Sequence, residues 1–229
     1  MIYLSVRSMN TRNTKIIRRI ALGMAVAITL LGSGCLSVFQ EISAKAGGKV
    51  VTQVRFSISK AMLTSMGEMT GDTEDPDEIF DTEEGPVNPE SIPGLENVVV
   101  DELDNGVDVG IHFSGTLGKV PPGIGPADAP FIPFEEGSTI TIGLPPLDEE
   151  GDMSSGSDSD EMAALFFAST RYQLLMDKNL YPSISSAKVM VGSKEYPASV
   201  TEVEHGWLVE FPISYWMQSP KGCLLVIER

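Results

Sequence analysis

The chain has 229 residues and a formal net charge of −16 at neutral pH, with 32 acidic and 16 basic side chains. Such a surface repels nucleic-acid phosphates and anionic lipid headgroups, so we expect neither as an electrostatic partner. The only cysteines, Cys35 and Cys223, are too few to build a disulfide framework. The length is sufficient for one domain with a hydrophobic core.

Residues 1–35 have the pattern of an export signal. A basic segment, Lys15–Arg19, precedes an uncharged apolar stretch, Ile20–Leu31, and the small residues Gly32–Gly34 lead to Cys35. The apolar stretch has ~12 residues, whereas about 20 are needed to span a bilayer. The run Leu-Gly-Ser-Gly-Cys that ends at Cys35 resembles a bacterial lipobox, in a form with Gly at the position where Leu is commonest.

This resemblance implies that the protein is a lipoprotein anchored at Cys35. Residues 1–34 would be removed as a signal peptide, and Cys35 would carry a diacylglycerol on its sulfur and an acyl chain such as palmitate on its new amino group. Two or more chains give durable membrane attachment. Leu36, which is not an Asp, follows the cysteine, and the resemblance then implies the outer membrane, with the body facing the periplasm or the cell surface. The alternatives are an ordinary secretory leader and a short membrane anchor with an incidental cysteine.

The rest of the chain predicts a mainly β (α+β) fold, an antiparallel β-sandwich or open barrel with one packed helix. We divide it into a lipidated anchor and tether, 35–48, and a single β-rich domain, 49–229. Within the tether, Val38–Ala46 could also form a short helix. Alternating apolar residues and turn signals predict eight strands, namely Val50–Ile58, Val98–Leu103, Val107–Phe113, Ser138–Leu144, Ala187–Val191, Glu195–Val203, Trp207–Phe211 and Cys223–Glu228.

One segment has the periodicity of a helix. Apolar residues recur at spacings of three and four from Glu161 to Lys178, which predicts an amphipathic helix packed on the sheet. A weaker helical signal covers residues 59–66. Two acidic insertions, near 67–97 and 145–158, contain too little apolar surface to fold, so we interpret both as flexible loops.

Residues capable of catalysis are scarce. His112 alternates with apolar residues in a predicted strand and His205 lies at a predicted turn, so we assign both structural or solvated roles. Cys223 begins an apolar run and is interpreted as a buried structural thiol. Two Ser-x-x-Lys matches, at 57–60 and 185–188, lack the companion motifs of penicillin-recognising hydrolases. An enzyme is therefore not favoured, although the sequence does not exclude one.

Binding is a better hypothesis than catalysis, and the sequence offers two kinds of site. Carboxylates cluster within 72–78 and 148–160, and calcium favours such oxygen ligands, although neither cluster has the register of an EF-hand loop. Solvated loops without any cofactor are the simpler interpretation.

Four aromatic residues are candidates for contact with a ligand or partner: Tyr215, Trp216, Phe131 and Phe134. The alternative is that they fill the core or cover a sheet edge. We therefore predict an envelope module that binds or scaffolds another envelope protein. The alternative is a carbohydrate- or calcium-binding module, and a hydrolase is less favoured.

Overall fold

A computed structural model describes residues 36–64, 88–146 and 170–229, and eleven strands of this part of the chain form one sheet. The strands are β1 Leu36–Lys45, β2 Lys49–Ser59, β3 Leu95–Asp104, β4 Asp108–Leu117, β5 Pro133–Glu136, β6 Thr139–Leu144, β7 Arg171–Asp177, β8 Ser186–Val191, β9 Lys194–Glu202, β10 Gly206–Pro212 and β11 Cys223–Glu228. The helical segments are residues 60–64, a 3₁₀ turn Pro89–Ser91 and a short helix Ile213–Met217.

The sheet is open and curls around a single core. Its strand order is β3-β4-β2-β1-β7-β10-β9-β8-β11-β6-β5, so β3 and β5 are edges. Strand β9 joins the two halves, because Lys194–Ala198 pairs with β8 and Ser199–Glu202 pairs with β10. Buried side chains from both halves belong to one hydrophobic cluster, for example Phe113 of β4 and Leu225 of β11. The prediction of a mainly β, open-barrel fold is confirmed.

The β3–β4 hairpin forms where the Asn-Gly pair predicts it. Gly106 has a φ of 82°, which a residue with a side chain adopts at a cost. The side-chain oxygen of Asn105 accepts hydrogen bonds from the backbone N–H groups of Val107 and Asp108, at 2.9 and 2.8 Å. The six other predicted strands also correspond to observed strands, with ends that differ by at most a few residues.

The assignment of Val38–Ala46 to a helix or tether is wrong. Residues Leu36–Lys45 form β1, which pairs with β2 along its whole length. Val38 and Ile42 are fully buried, but the residue between them on the same face is Gln40. The polar residue interrupts the apolar alternation, and this is why the strand is hard to recognise.

The predicted helix Glu161–Lys178 is wrong over its second half. Residues 161–169 lie outside the described part of the chain, and Arg171–Asp177 form β7. Tyr172, Leu174 and Met176 alternate into the core, a period of two. Strand β7 pairs in parallel with β1 and antiparallel with β10, so it lies in the middle of the sheet.

The acidic insertions are only partly within the described residues. Residues 65–87 and 147–169 lie outside them. The prediction of a flexible loop is wrong for residues 88–97, since Pro89, Ile92 and Leu95 are buried there. In the three described ranges, no helix is long and apolar enough to cross a membrane.

A buried polar network joins β1, β2 and β7 to the loop before β5. Gln40 is fully buried, and its Nε2 donates to Thr52 Oγ1 at 3.0 Å and to the carbonyl oxygen of Phe131 at 2.8 Å. The hydroxyl of Tyr172 donates to Gln40 Oε1. Because buried polar groups are costly unless paired, this network specifies how the three strands and the loop fit together.

Phe131 is the centre of the aromatic core. Its ring makes edge-to-face contacts with Phe56, Phe113 and Trp216, at centroid distances of 5.8, 5.9 and 6.4 Å. Its φ is 64°, a left-handed conformation that is uncommon for a residue with a large side chain. The loop reaches this position because Gly143 allows close approach: a Cβ there would lie 1.8 Å from the carbonyl oxygen of Pro126.

Candidate functional site

The parallel pairing of β1 with β7 brings their carboxyl ends to the same end of the sheet. The turn after β7, at 178–180, and the turn before β10, at 203–205, lie at this end as well. Between them is a groove of about 350 Å³. Glu41 and Ser43 of β1, Leu175 and Asp177 of β7, and the two turns line it. We call it the β1–β7 groove.

Asp177 is a structural part of this groove. Its Oδ1 accepts hydrogen bonds from the backbone N–H and side-chain amide of Asn179, at 2.8 and 2.9 Å, and its Oδ2 accepts from the Ala44 N–H at 3.2 Å. The hydrogen bond from the Asn179 backbone, opposed by desolvation and helped by Ala44, holds the pKa of Asp177 below its usual value. Oδ2 thus joins the end of β7 to β1, and Oδ1 holds the turn that follows β7.

Lys178 is held on the other side of the same turn. Its Nζ donates to Glu202 Oε1 at 2.9 Å and to the Val203 carbonyl at 2.7 Å. The ammonium also lies 5.8 Å from the centre of the Trp207 ring. These contacts fix the Lys178 charge and connect the turns at 178–180 and 203–205.

The rim of the groove is exposed. The side chains of His205 and Glu204 are 87% and 86% accessible, and His205 Nε2 lies 3.7 Å from Glu204 Oε1. Within the described residues, no hydrogen bond orients this exposed imidazole, so it is poorly placed for acid–base catalysis. Three carboxylates, those of Glu41, Asp177 and Glu204, face one lysine and one histidine, so the groove favours a cationic surface over an anionic one.

Two of the four predicted contact aromatics are misassigned. Trp216 and Phe131 are fully buried, and the indole N–H of Trp216 donates to the Pro145 carbonyl. Neither side chain can reach a ligand or partner. The prediction assumed an extended segment at 215–216, whereas these residues lie in the helix Ile213–Met217 and the tryptophan faces the core.

The other two aromatics are only partly buried. Tyr215 stacks on Tyr196 with ring centres 4.5 Å apart and an interplanar angle of 23°. The Tyr196 hydroxyl donates to Gln218 Oε1 at 2.9 Å. Phe134 packs against the core from the edge strand β5. None of these residues lines the β1–β7 groove.

The remaining candidates lie apart from one another. His112 is on the outer face of β4, with Nδ1 3.7 Å from Asp101 Oδ2 on β3. Cys223 is buried, and burial raises the pKa of its thiol to about 12, as expected of a structural cysteine. Of the candidate residues within the described ranges, only His205, which the sequence predicts to be structural or solvated, lines the groove.

Cys35 and both predicted carboxylate clusters lie outside the described residues. Within 36–64, 88–146 and 170–229, no three His, Cys, Asp or Glu side chains are placed to hold a metal ion. No family model, curated protein or solved structure matches the chain.

Proposed function

We propose that the protein is a bacterial envelope lipoprotein, anchored by acyl chains on Cys35, whose folded body binds another envelope protein. The observation that carries the anchor is the leader pattern: a basic segment, Lys15–Arg19, an apolar stretch, Ile20–Leu31, and small residues directly before Cys35. Cleavage before Cys35 would leave the whole of the described sheet, from Leu36 onward, in the mature protein.

The binding role rests on the β1–β7 groove. It is a preformed concavity whose wall is fixed by the hydrogen bonds of Asp177 and Lys178, while the Glu204–His205 rim is open to solvent. Fixed polar groups lower the entropy lost on association. The chain after the leader has a formal net charge of about −21. We therefore propose a partner with a basic surface, reached in the periplasm or at the cell surface of an outer membrane.

The anchor is tested by mass spectrometry of the amino terminus after growth with an alkyne fatty acid. Acylated Cys35 is expected at the mature terminus, and Cys35→Ser should abolish the label. A mature protein with an unmodified amino terminus, released into the soluble fraction, would refute the anchor.

The groove is tested by photocrosslinking in intact cells. A benzophenone amino acid replaces Glu204 on the rim or, as the matched control, Glu195 on β9, whose side chain is also exposed at 57%. A covalent adduct with the partner should form from position 204 and not from position 195, and its yield should fall in high salt. Identical adducts from both positions, or none from 204, would contradict the proposal.

A further inference from the structure

The folded body has no tether between the anchor and the sheet. Leu36 is the first residue of β1, pairs with Ile58 of β2 and is partly buried against the core. Consecutive Cα atoms are about 3.8 Å apart, so acyl chains on Cys35 would hold this end of the sheet at the bilayer surface. The orientation of the body is then set by which residues surround the start of β1.

Among the described residues, one large exposed apolar side chain lies at that end. In the register of β2 with β4, Ile58 pairs with Val109 and Ser59 pairs with Asp108. Val107 precedes Asp108, so it lies one residue further out than Ser59, at the end of the sheet where β1 begins. Strand β4 is two strands from β1, a lateral distance of about 10 Å. Val107 is 66% accessible, at the tip of the β3–β4 hairpin. A backbone hydrogen bond of 2.8 Å from Lys60 to the Val107 carbonyl fixes the tip.

The charges around this tip are paired. Lys60 Nζ lies 2.8 Å from Asp104 Oδ2, and Arg55 lies 3.9 Å from Asp108. These two pairs bring the four described charges nearest the tip to a net charge of zero. By contrast, the β1–β2 turn at the other end of the sheet, Ala46-Gly47-Gly48, carries no large apolar side chain.

We infer that the end of the sheet where β1 begins rests on the lipid bilayer, and that Val107 inserts into its interface as a second contact beside the acyl chains. The inference rests on the proposed lipidation of Cys35. The surface that this end of the sheet contacts is the phospholipid bilayer, because the anchor places lipid within a few residues of the tip. Glu41 and Ser43 follow Leu36 by five and seven residues along β1, so the β1–β7 groove would lie about 20 Å above the membrane.

The test uses the full lipidated protein in phosphatidylcholine vesicles, with a nitroxide label on Val107→Cys or Ala46→Cys. These positions are tips at opposite ends of the sheet, and the native Cys223 thiol is buried and unreactive. The label at 107 should lose collisions with a water-soluble nickel chelate severalfold, and gain collisions with oxygen, relative to the unlipidated Cys35→Ser form. The label at 46 should not change.

Two outcomes separate this inference from the proposed function. If mass spectrometry shows acylated Cys35 but the labels at 107 and 46 are equally accessible, the inference is overturned and the lipoprotein proposal stands. If Cys35 carries no acyl chain, the proposed function itself fails. Ala61→Cys, at an exposed position one residue after Lys60, repeats the measurement if Val107→Cys does not fold.

Discussion

The buried Gln40 network provides a quantitative test of how the sheet is held together. Gln40→Leu keeps the approximate volume of the side chain but removes its three hydrogen bonds. The Phe131 carbonyl then loses its amide donor, which lies at 2.8 Å, and the Tyr172 hydroxyl loses its acceptor. A buried polar group left without a partner costs about 1–3 kcal/mol. The buried Thr52 hydroxyl loses its amide donor as well. Three such groups give an expected loss of about 3 kcal/mol or more in the free energy of unfolding, a large part of the stability of a typical domain.

A substitution of Tyr172, the hydrogen-bond partner of Gln40, separates the effect of this hydrogen bond from the effect of side-chain packing. Tyr172→Phe leaves the Gln40 oxygen without this donor and should cost about 1–2 kcal/mol. The double variant Gln40→Leu/Tyr172→Phe lacks both the donor and the acceptor of this hydrogen bond, so neither group is left without its partner. The double variant should therefore be more stable than the sum of the single losses predicts, by about 1–2 kcal/mol.

The assay is urea unfolding of each variant, followed by the fluorescence of the two tryptophans, of which Trp216 is fully buried. Equal slopes with shifted midpoints would show a change in stability and not in compactness. A wild-type midpoint for Gln40→Leu would refute the reasoning, since it would mean that the network contributes nothing. Strict additivity in the double variant would refute the coupling of β1 to β7 through this hydrogen bond.

Two further predictions concern Asp177 and Phe131. Because the pKa of Asp177 is lower in the folded state, its carboxylate stabilises the protein above about pH 4, the unfolded value, and this stabilisation is lost as pH falls through the folded pKa. Asp177→Asn should therefore flatten the fall of Tm between about pH 5 and pH 2, and an equally steep fall would contradict the assignment. Phe131→Ala should cost about 3–5 kcal/mol in urea unfolding. Phe131→Gly should cost no more than the alanine variant, because φ is 64° there, whereas at the control position Phe134 glycine should be worse than alanine by about 0.5–1 kcal/mol.

Local patterns predicted most of the strands. In β10, Val209 and Phe211 face the core in strict alternation, and β11 buries Cys223, Leu225 and Ile227 in the same way. Where the two strands of a hairpin are adjacent in the chain, a turn such as Asn105-Gly106 also predicts their pairing. These signals depend on neighbours within about ten residues, and the sequence displays them directly.

The segments that were misassigned depend on distant partners. Tyr172, Leu175 and Met176 fit a helical spacing, and only the pairing of Val38 with Tyr172 shows that the segment is a strand. Gln40 is polar, so the sequence of β1 looks less apolar than that of a core strand. The side chain can nevertheless be buried, because Thr52 and residues more than ninety positions away hydrogen-bond its polar atoms. A single sequence contains no information on such pairings.

The β1–β7 groove also depends on the pairing of strands that are distant in the sequence. Glu41 and Asp177 are far apart in the chain and line one groove because β1 and β7 run in parallel. The sequence predicted a solvated His205 at a turn, but not the carboxylates that surround it. Since the Gln40–Tyr172 hydrogen bond lies between the same two strands, a substitution that weakens it also loosens the register on which the groove depends. The groove wall should thus be affected by changes in the core that touch no groove residue, whereas changes at the Glu204 rim alter its charge and leave the core intact.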